Sequence, residues 1–232
     1  MLALRNILFY LGLILFTLPH TIIAALFWLT SYKVKRAYLG LWPQFALWWL
    51  KICCNLDYRV EGRENIPEET AIILAKHQST WETIAMQRIF PTQTWVLKRE
   101  LLWIPFFGWG LAMTRPVAID RSAGRKALKQ VITQGIDRLK QGIWVVVFPE
   151  GTRTPYGSHK NYAIGGAMLA EKSGFPVVPV AHNGGKYWPR SGWIKPGTIT
   201  LSIGPIISTK DKKPKEINEL SKSWIEAECL KL

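Results

Sequence analysis

Short apolar runs that alternate with longer amphipathic segments constrain the fold of this 232-residue chain more than any other feature. Helical spacing of apolar residues predicts a helix over 123–140, and a second helix fits 162–173. Strand, helix and strand in succession favour the α/β class, with a largely parallel sheet flanked by helices. The runs that predict strands are 71–75, 94–97, 116–119, 143–148, 176–181 and 198–203.

The first part of the chain has a different composition. Residues 7–29 carry no charged side chain and are long enough to cross a bilayer, but Pro19 and His20 interrupt them in the middle. A helical hairpin that enters and leaves one leaflet and a kinked single span both fit this pattern. We expect N-terminal membrane-associated helices over 1–56, forming a membrane-binding hairpin, and an α/β domain over 57–232.

The charge of the chain indicates anionic partners, because 30 Lys and Arg residues against 16 Asp and Glu residues give a formal net charge of +14. The first acidic residue is Asp57, whereas Lys33, Lys35 and Arg36 come before it. An apolar and basic segment without acidic residues is typical of protein segments that bind a membrane surface. By the positive-inside rule these basic residues predict the cytoplasmic face of a membrane, which we expect to be the bacterial inner membrane.

Polar residues follow three of the predicted strands at the point where each strand ends. His77 comes two residues after 71–75, and Asp120 and Arg121 follow 116–119. The sequence PEGTR, residues 149–153, follows the strand predicted within 143–148. In parallel sheets the loops at the carboxyl ends of the strands hold the ligand, so these residues are expected to meet at one site.

The spacing of His77 and Glu82 allows two interpretations. Ser79 followed three residues later by Glu82 fits a capping box, in which the carboxylate satisfies backbone donors at the start of a helix. Alternatively, Glu82 accepts the proton of one imidazole nitrogen of His77, which leaves the other nitrogen free to take a proton from a substrate hydroxyl. The two interpretations are compatible with each other.

The segment FPEGTR, residues 148–153, is also open to two interpretations. It could be a plain turn in which proline and glycine end the strand. It could also bind a phosphate, with Thr152 and backbone amides around the anion and the planar fork of Arg153 against it. Arg121 taken alone fits a solvated arginine that follows an N-cap at Asp120.

The pairing of HQSTWE (77–82) with FPEGTR (148–153) resembles the glycerophospholipid acyltransferases, the family of 1-acylglycerol-3-phosphate acyltransferases. PVAIDR and VVPVA, the latter containing Pro179, resemble the second and fourth blocks of that family. The blocks occur in the expected order between residues 71 and 182, a stretch that includes LKRELLWIPFFGWG. Four blocks in order are far more specific than any one of them.

The resemblance implies a glycerophosphate-acyltransferase-like fold and a catalytic role for His77 and Glu82. This chain departs from the family pattern at two positions, because the family usually has aspartate where Glu82 stands and frequently has asparagine at the position of Lys76. The further residues to which the resemblance assigns substrate binding, through the phosphate of the acceptor, are Lys98, Arg121, Glu150, Gly151, Thr152 and Arg153.

The implied reaction transfers a fatty acyl group from a thioester to the free sn-2 hydroxyl of 1-acyl-sn-glycerol-3-phosphate, which gives phosphatidic acid. His77 would act as general base without a covalent acyl-enzyme, since the sequence has no G-x-S-x-G elbow. Acyl-coenzyme A or an acyl-acyl carrier protein would be the co-substrate. Membrane lipids and the lysophospholipid are the other expected partners, and no cofactor or metal is expected, because the histidines and cysteines lack ligand spacing.

Three alternatives remain open at this point. Within the same enzyme class, the acceptor could be another lysolipid, such as a lyso-ornithine lipid. Outside it, the protein could bind anionic lipids without activity, or bind nucleic acid. Nucleic acid is not an expected partner, because no helix-turn-helix, zinc or RNP signature occurs. The apolar segment WIPFFGWG, residues 103–110, is a candidate part of an acyl-chain channel.

Overall fold

The computed structural model describes residues 1–232 and contains one seven-stranded sheet. The strands lie in the order β1-β7-β6-β2-β5-β3-β4. All six predicted strands are present, and β1 is an additional one at the edge of the sheet. The strands are β1 (Leu56–Glu61), β2 (Ile72–Ala75), β3 (Gln93–Lys98), β4 (Val117–Ile119), β5 (Trp144–Val147), β6 (Val177–His182) and β7 (Gly197–Ile203).

The sheet is largely parallel, as the alternation of strands and helices predicts. Only β6 and β7 pair in an antiparallel manner, and every other neighbouring pair is parallel. The carboxyl ends of β2, β3, β4 and β5 therefore lie at one edge, where the residues that follow them can form a common site.

Helices cover both faces of the sheet. Side chains of β2 alternate between the two cores, because Ile73 packs with α3 and α4 while Ile72 and Leu74 pack with α6, α7 and α9. The helices are α1 (Leu2–Leu26), α2 (Tyr32–Leu39), α3 (Leu41–Cys54), α4 (Trp81–Ile89), α5 (Phe107–Met113), α6 (Arg125–Lys140), α7 (Gly165–Ser173), α8 (Gly184–Tyr187) and α9 (Pro214–Cys229).

The N-terminal helices form a hairpin whose turn lies further along the chain than Pro19 and His20 suggest. Helix α1 continues through both residues, and the chain turns at 27–31 before α2 and α3 run back along α1. Contacts between the two arms hold α1 together across the proline. The indole nitrogen of Trp42 donates to Thr17 Oγ1 at 2.8 Å, and the Tyr38 hydroxyl donates to the carbonyl of His20 at 3.1 Å.

Helix α1 also packs against the α/β part of the chain. The amide of Asn6 donates to the carbonyl of Ile194 at 3.0 Å and accepts from its N–H at 2.8 Å. Phe9 is fully buried beside Trp188, with the ring centroids 5.4 Å apart. By length and composition α1 is the one helix apolar enough to cross a membrane. The side of α1 that faces away from the rest of the protein is largely exposed apolar surface.

Candidate active site

His77 and Glu82 form a hydrogen-bonded pair at the carboxyl end of β2. The Nδ1 atom of His77 lies 2.8 Å from Oε1 of Glu82. A carboxylate can only accept, so Nδ1 carries the proton and Nε2 is left as an acceptor. The ring of His77 stacks on Phe148 with the centroids 4.1 Å apart and lines a cavity at this edge of the sheet.

Glu82 also accepts backbone N–H groups just before α4, so its carboxylate makes the contacts that both interpretations of its spacing require. Its Oε1 atom accepts from the N–H of Gln78 at 3.0 Å and from the N–H of Ser79 at 2.9 Å, which is the carboxylate half of a capping box. The Ser79 hydroxyl accepts from the N–H of Trp81 at 3.1 Å rather than from that of Glu82. Burial of Glu82 opposes its ionisation, but the neighbouring His182, His77 and the Ser79 amide outweigh burial and hold its pKa below the ordinary value. Glu82 is therefore an ionised, fully buried partner for the imidazole.

The backbone of His77 is fixed by residues that follow β5. Its N–H donates to Oε2 of Glu150 at 2.8 Å, and its carbonyl accepts from the N–H of Thr154 at 2.7 Å. The hydroxyl of Thr154 in turn donates to Oε1 of Glu150 at 2.9 Å. The loops after β2 and β5 are thus tied together directly at the histidine.

The cavity next to His77 has a volume of about 500 Å³ and lies between the sheet edge and the N-terminal helices. Four cationic side chains and no carboxylate line it. Three of the four are predicted site residues, namely Lys98, Arg121 and Arg153, and the fourth is Arg190. A cavity whose fully charged side chains are all positive is suited to an anionic substrate.

The structure brings most of the predicted substrate-binding residues to this cavity. Gly151 and Thr152 line it together with the three predicted cations. Glu150 is different, because its side chain is fully buried outside the cavity and is bonded to Lys76, Thr154 and the His77 amide. Direct contact between Glu150 and a substrate phosphate does not fit this position, since the carboxylate is enclosed and carries the wrong charge.

Two arginines connect the motifs across the site. Arg121 donates to the carbonyl of Gly151, whose φ of +69° lies in the left-handed region that favours glycine. Arg153 donates to the hydroxyl of Thr80 at 2.8 Å, just before α4. The predicted N-cap at Asp120 is also present, since its carboxylate accepts from the N–H of Ser122 at 3.0 Å. Arg121 thus follows an N-cap and faces the cavity as well.

Sequence reasoning missed two residues that the structure places at the site. His182 is fully buried behind Glu82, with Nε2 3.8 Å from its Oε2 atom and 2.9 Å from the carbonyl of Lys76. Arg190 lines the cavity from the loop after α8. His182 directly follows the strand predicted over 176–181, as His77 follows the one predicted over 71–75, whereas no local pattern marks Arg190.

The middle of the chain, residues 57–183, matches the family model described as Acyltransferase. The chain belongs to this acyltransferase family. The match contains every predicted catalytic and substrate-binding residue, from His77 to Arg153. The family resemblance that the four sequence blocks indicate is therefore confirmed.

Relatives and solved structures agree with the acyltransferase assignment. The chain is 48% identical over 188 residues to a 1-acyl-sn-glycerol-3-phosphate acyltransferase of Pseudomonas aeruginosa, which covers 79% of this chain and 73% of that protein. It is 32% identical to the protein of that name from Saccharomyces cerevisiae, over 74% of this chain and 58% of the yeast protein.

The fold matches a crystal structure as well. The 1-acyl-sn-glycerophosphate acyltransferase of Thermotoga maritima aligns with a TM-score of 0.82 at 25% sequence identity. The alignment covers 99% of this chain and 95% of the other, so it includes the N-terminal helices of this acyltransferase as well as its sheet. The predicted fold class is confirmed.

Proposed function

We propose that this acyltransferase transfers a fatty acyl group from a thioester to the sn-2 hydroxyl of 1-acyl-sn-glycerol-3-phosphate, with His77 as general base. The observation that carries the proposal is the orientation of His77 by Glu82 in a cavity lined by four cations and no carboxylate. The names of the Pseudomonas and yeast relatives support the same acceptor.

The proposed reaction proceeds in two steps without an acyl-enzyme. Nε2 of His77 takes the proton of the acceptor hydroxyl as that oxygen attacks the thioester carbonyl, and a tetrahedral oxyanion forms. The intermediate then collapses, the carbon–sulfur bond breaks, and the protonated imidazole returns its proton to the leaving thiolate. Glu82 stabilises the imidazolium between the two steps because it is ionised and 2.8 Å from Nδ1.

The acceptor phosphate is proposed to lie against the cationic side chains of the cavity. Arg121 comes from the loop after β4 and donates to the carbonyl of Gly151. Arg153 follows Gly151 and Thr152 in the loop after β5 and donates to Thr80, and both arginines line the cavity. A guanidinium group can bind two phosphate oxygens at once, which gives orientation as well as charge. Lys98, at the end of β3, adds a third positive charge from another side of the cavity.

Another part of the cavity is lined by apolar side chains and is proposed to hold an acyl chain. Leu97 and Leu101 line it, as do Phe107, Gly110 and Leu111 of α5. The segment 103–110 therefore contributes to the cavity as the sequence suggests, but Phe106 is not among the lining residues. A volume of about 500 Å³ lies within the usual range for small-molecule sites.

We also propose that the N-terminal hairpin inserts into one leaflet, on the cytoplasmic side of the bacterial inner membrane. Ile14 and Leu15 of α1 are 57% and 63% exposed, and Trp28 and Trp48 are 53% and 55% exposed. Replacement of Leu15 by glutamate should reduce sedimentation with anionic vesicles. The matched control is Leu220→Glu, on α9, where an exposed leucine lies far along the chain from the hairpin.

Acyl transfer measured with competing acceptors tests the substrate. The unaltered protein in detergent receives equal amounts of 1-acyl-sn-glycerol-3-phosphate, lysophosphatidylcholine and lyso-ornithine lipid, with acyl-coenzyme A and acyl-acyl carrier protein as separate donors. We expect preferential acylation of 1-acyl-sn-glycerol-3-phosphate. Preference for lyso-ornithine lipid, which lacks a phosphate, would contradict the phosphate site, and no transfer to any acceptor would contradict the enzyme function.

A further inference from the structure

A buried cluster of charged side chains lies directly behind His77. The Nζ atom of Lys76 is 2.9 Å from Oε1 of Glu150 and 2.8 Å from Oε1 of Glu226, which belongs to α9. It also donates to the carbonyl of Ser158 at 3.0 Å. The side chains of Lys76 and Glu150 are 1% and 0% exposed, so their charges depend on each other and on Glu226 for compensation.

Hydrogen bonds hold the backbone of Lys76 and of His77, and one of them comes from the cluster. The N–H of Lys76 donates to the carbonyl of Val180 at 3.0 Å, and its own carbonyl accepts from Nε2 of His182 at 2.9 Å. The second oxygen of Glu150 accepts the N–H of His77. A shift of Glu150 would therefore move the backbone of the histidine.

Glu226 balances the cluster from the C-terminal helix. Both of its oxygens accept from Lys76, and Oε1 also accepts from the hydroxyl of Tyr162 at 2.9 Å. If Glu226 were uncharged, Glu150 would be the single anionic partner of Lys76. Residue 226 lies outside the 57–183 match to the family model, so this carboxylate comes from a part of the chain that the model does not include.

We propose that Glu226 is a positioning residue for His77 and acts through Lys76 and Glu150. The inference rests on the proposed function, because it assigns a residue of the C-terminal helix to the same reaction. Glu226 does not line the cavity, and its carboxylate contacts Lys76 and Tyr162 rather than His77. Its effect is on the placement of Nε2 relative to the acceptor hydroxyl, to which general-base catalysis is sensitive.

The kinetic test compares Glu226→Gln with Glu228→Gln. Glu228 lies on the same helix but accepts from Ser202 and pairs with Lys231, without contact to Lys76. We expect Glu226→Gln to lower kcat by about ten- to a hundredfold, with the KM values of both substrates nearly unchanged. Glu228→Gln should retain the kcat of the unaltered protein. Equal kcat in the two variants would overturn the inference.

Amide hydrogen exchange gives a readout that does not need activity. Peptides that cover residues 76–80 should exchange faster in Glu226→Gln than in Glu228→Gln, because the backbone on both sides of His77 loses support. Equal exchange would overturn the inference even if kcat fell. If Glu226→Gln does not fold, Glu226→Asp replaces it, since aspartate keeps the charge with a shorter reach and should show smaller changes of the same kind.

The two proposals can fail separately. An unaltered protein that transfers no acyl group to any lysophospholipid would contradict the proposed function. The exchange comparison would then decide by itself whether Glu226 holds the segment that contains His77. Conversely, full activity of Glu226→Gln with unchanged exchange would overturn the role of Glu226 and leave the proposed function intact.

Discussion

Oε1 of Glu82 lies 2.8 Å from Nδ1 of His77 and accepts two backbone N–H groups at the same time. The backbone at the start of α4 therefore fixes the carboxylate, and the carboxylate in turn orients the imidazole. Glutamate stands here where the family pattern usually has aspartate, and its longer side chain reaches Nδ1 of His77. Its ionised form is the one that stabilises a protonated His77.

Glu82→Gln should lower kcat by about a hundredfold, within the range expected for positioned general-base catalysis. Glutamine keeps an oxygen to accept from His77 and from the amides, but it removes the negative charge opposite the imidazolium. Steady-state kinetics and a thermal unfolding curve should be measured together. A kcat close to that of the unaltered protein, in a folded variant, would show that the charge has no part in the reaction.

Arg190→Ala should raise the KM for the phosphate-bearing acceptor by about tenfold, because a charge-assisted hydrogen bond contributes about 1.5–3 kcal/mol. Arg190 lines the cavity and has no carboxylate partner in the structure. The matched control is Arg88→Ala, which removes an exposed arginine of α4 that does not line the cavity. The same KM in both variants would remove Arg190 from the binding site.

Gly110→Leu should shift the donor preference towards shorter acyl chains. Gly110 lines the cavity, and a Cβ atom added there would have no neighbour nearer than Thr21, at 3.8 Å. A larger side chain can therefore enter the cavity without a backbone clash. Gly110→Ala is the control, and rates should be compared across a series of thioesters of increasing length. An unchanged preference in Gly110→Leu would place the acyl chain elsewhere.

His182 should make the protein less stable in mild acid. Burial lowers the pKa of His182 below its ordinary value of 6.5, despite the opposing effects of Glu82 and the Lys76 carbonyl. Below that value the unfolded chain binds a proton that the folded protein does not, so the free energy of unfolding falls as the pH decreases. Above it, both states are neutral at this position and the contribution is constant. Glu82 stays ionised over this range, because its own pKa lies lower.

Denaturant unfolding at about pH 7.5 and about pH 5.5 measures this effect. His182→Gln should lose less of its free energy of unfolding between the two pH values than the unaltered protein does. His159→Gln, which removes an exposed histidine, is the control and should behave like the unaltered protein. An equal loss in all three proteins would show that His182 is not the group that titrates.

Patterns within short segments predicted the main elements, whereas long-range contacts decided the rest. The β-branched runs that become β2 and β5 are buried on both faces, so their composition alone indicates strands. β1 was not predicted, because it alternates with charged residues at the sheet edge. The hairpin turn lies at 27–31 and not at Pro19, because α1 tolerates the proline when α2 and α3 pack against it. Packing between helices cannot be read from a short stretch of sequence.

The candidate site shows the same division. The blocks that contain His77 and Arg153 are local sequence patterns, and the parallel sheet brings them to one edge. Arg190 and Glu226 come from a loop and a terminal helix whose own sequences carry no motif, so only the tertiary structure reveals their positions. The position of Glu150 outside the cavity also depends on tertiary structure, because its carboxylate pairs with the buried side chain of Lys76, which is distant in sequence.

Acyl transfer to 1-acyl-sn-glycerol-3-phosphate by the unaltered protein and by His77→Ala tests the central claim most directly. The assay should use both thioester donors, and thermal unfolding should confirm that the variant is folded. We predict that the unaltered protein forms phosphatidic acid and that the variant loses this activity, because His77 is the cavity imidazole that a buried carboxylate, Glu82, orients. Equal activity in the two proteins would contradict His77 as the general base.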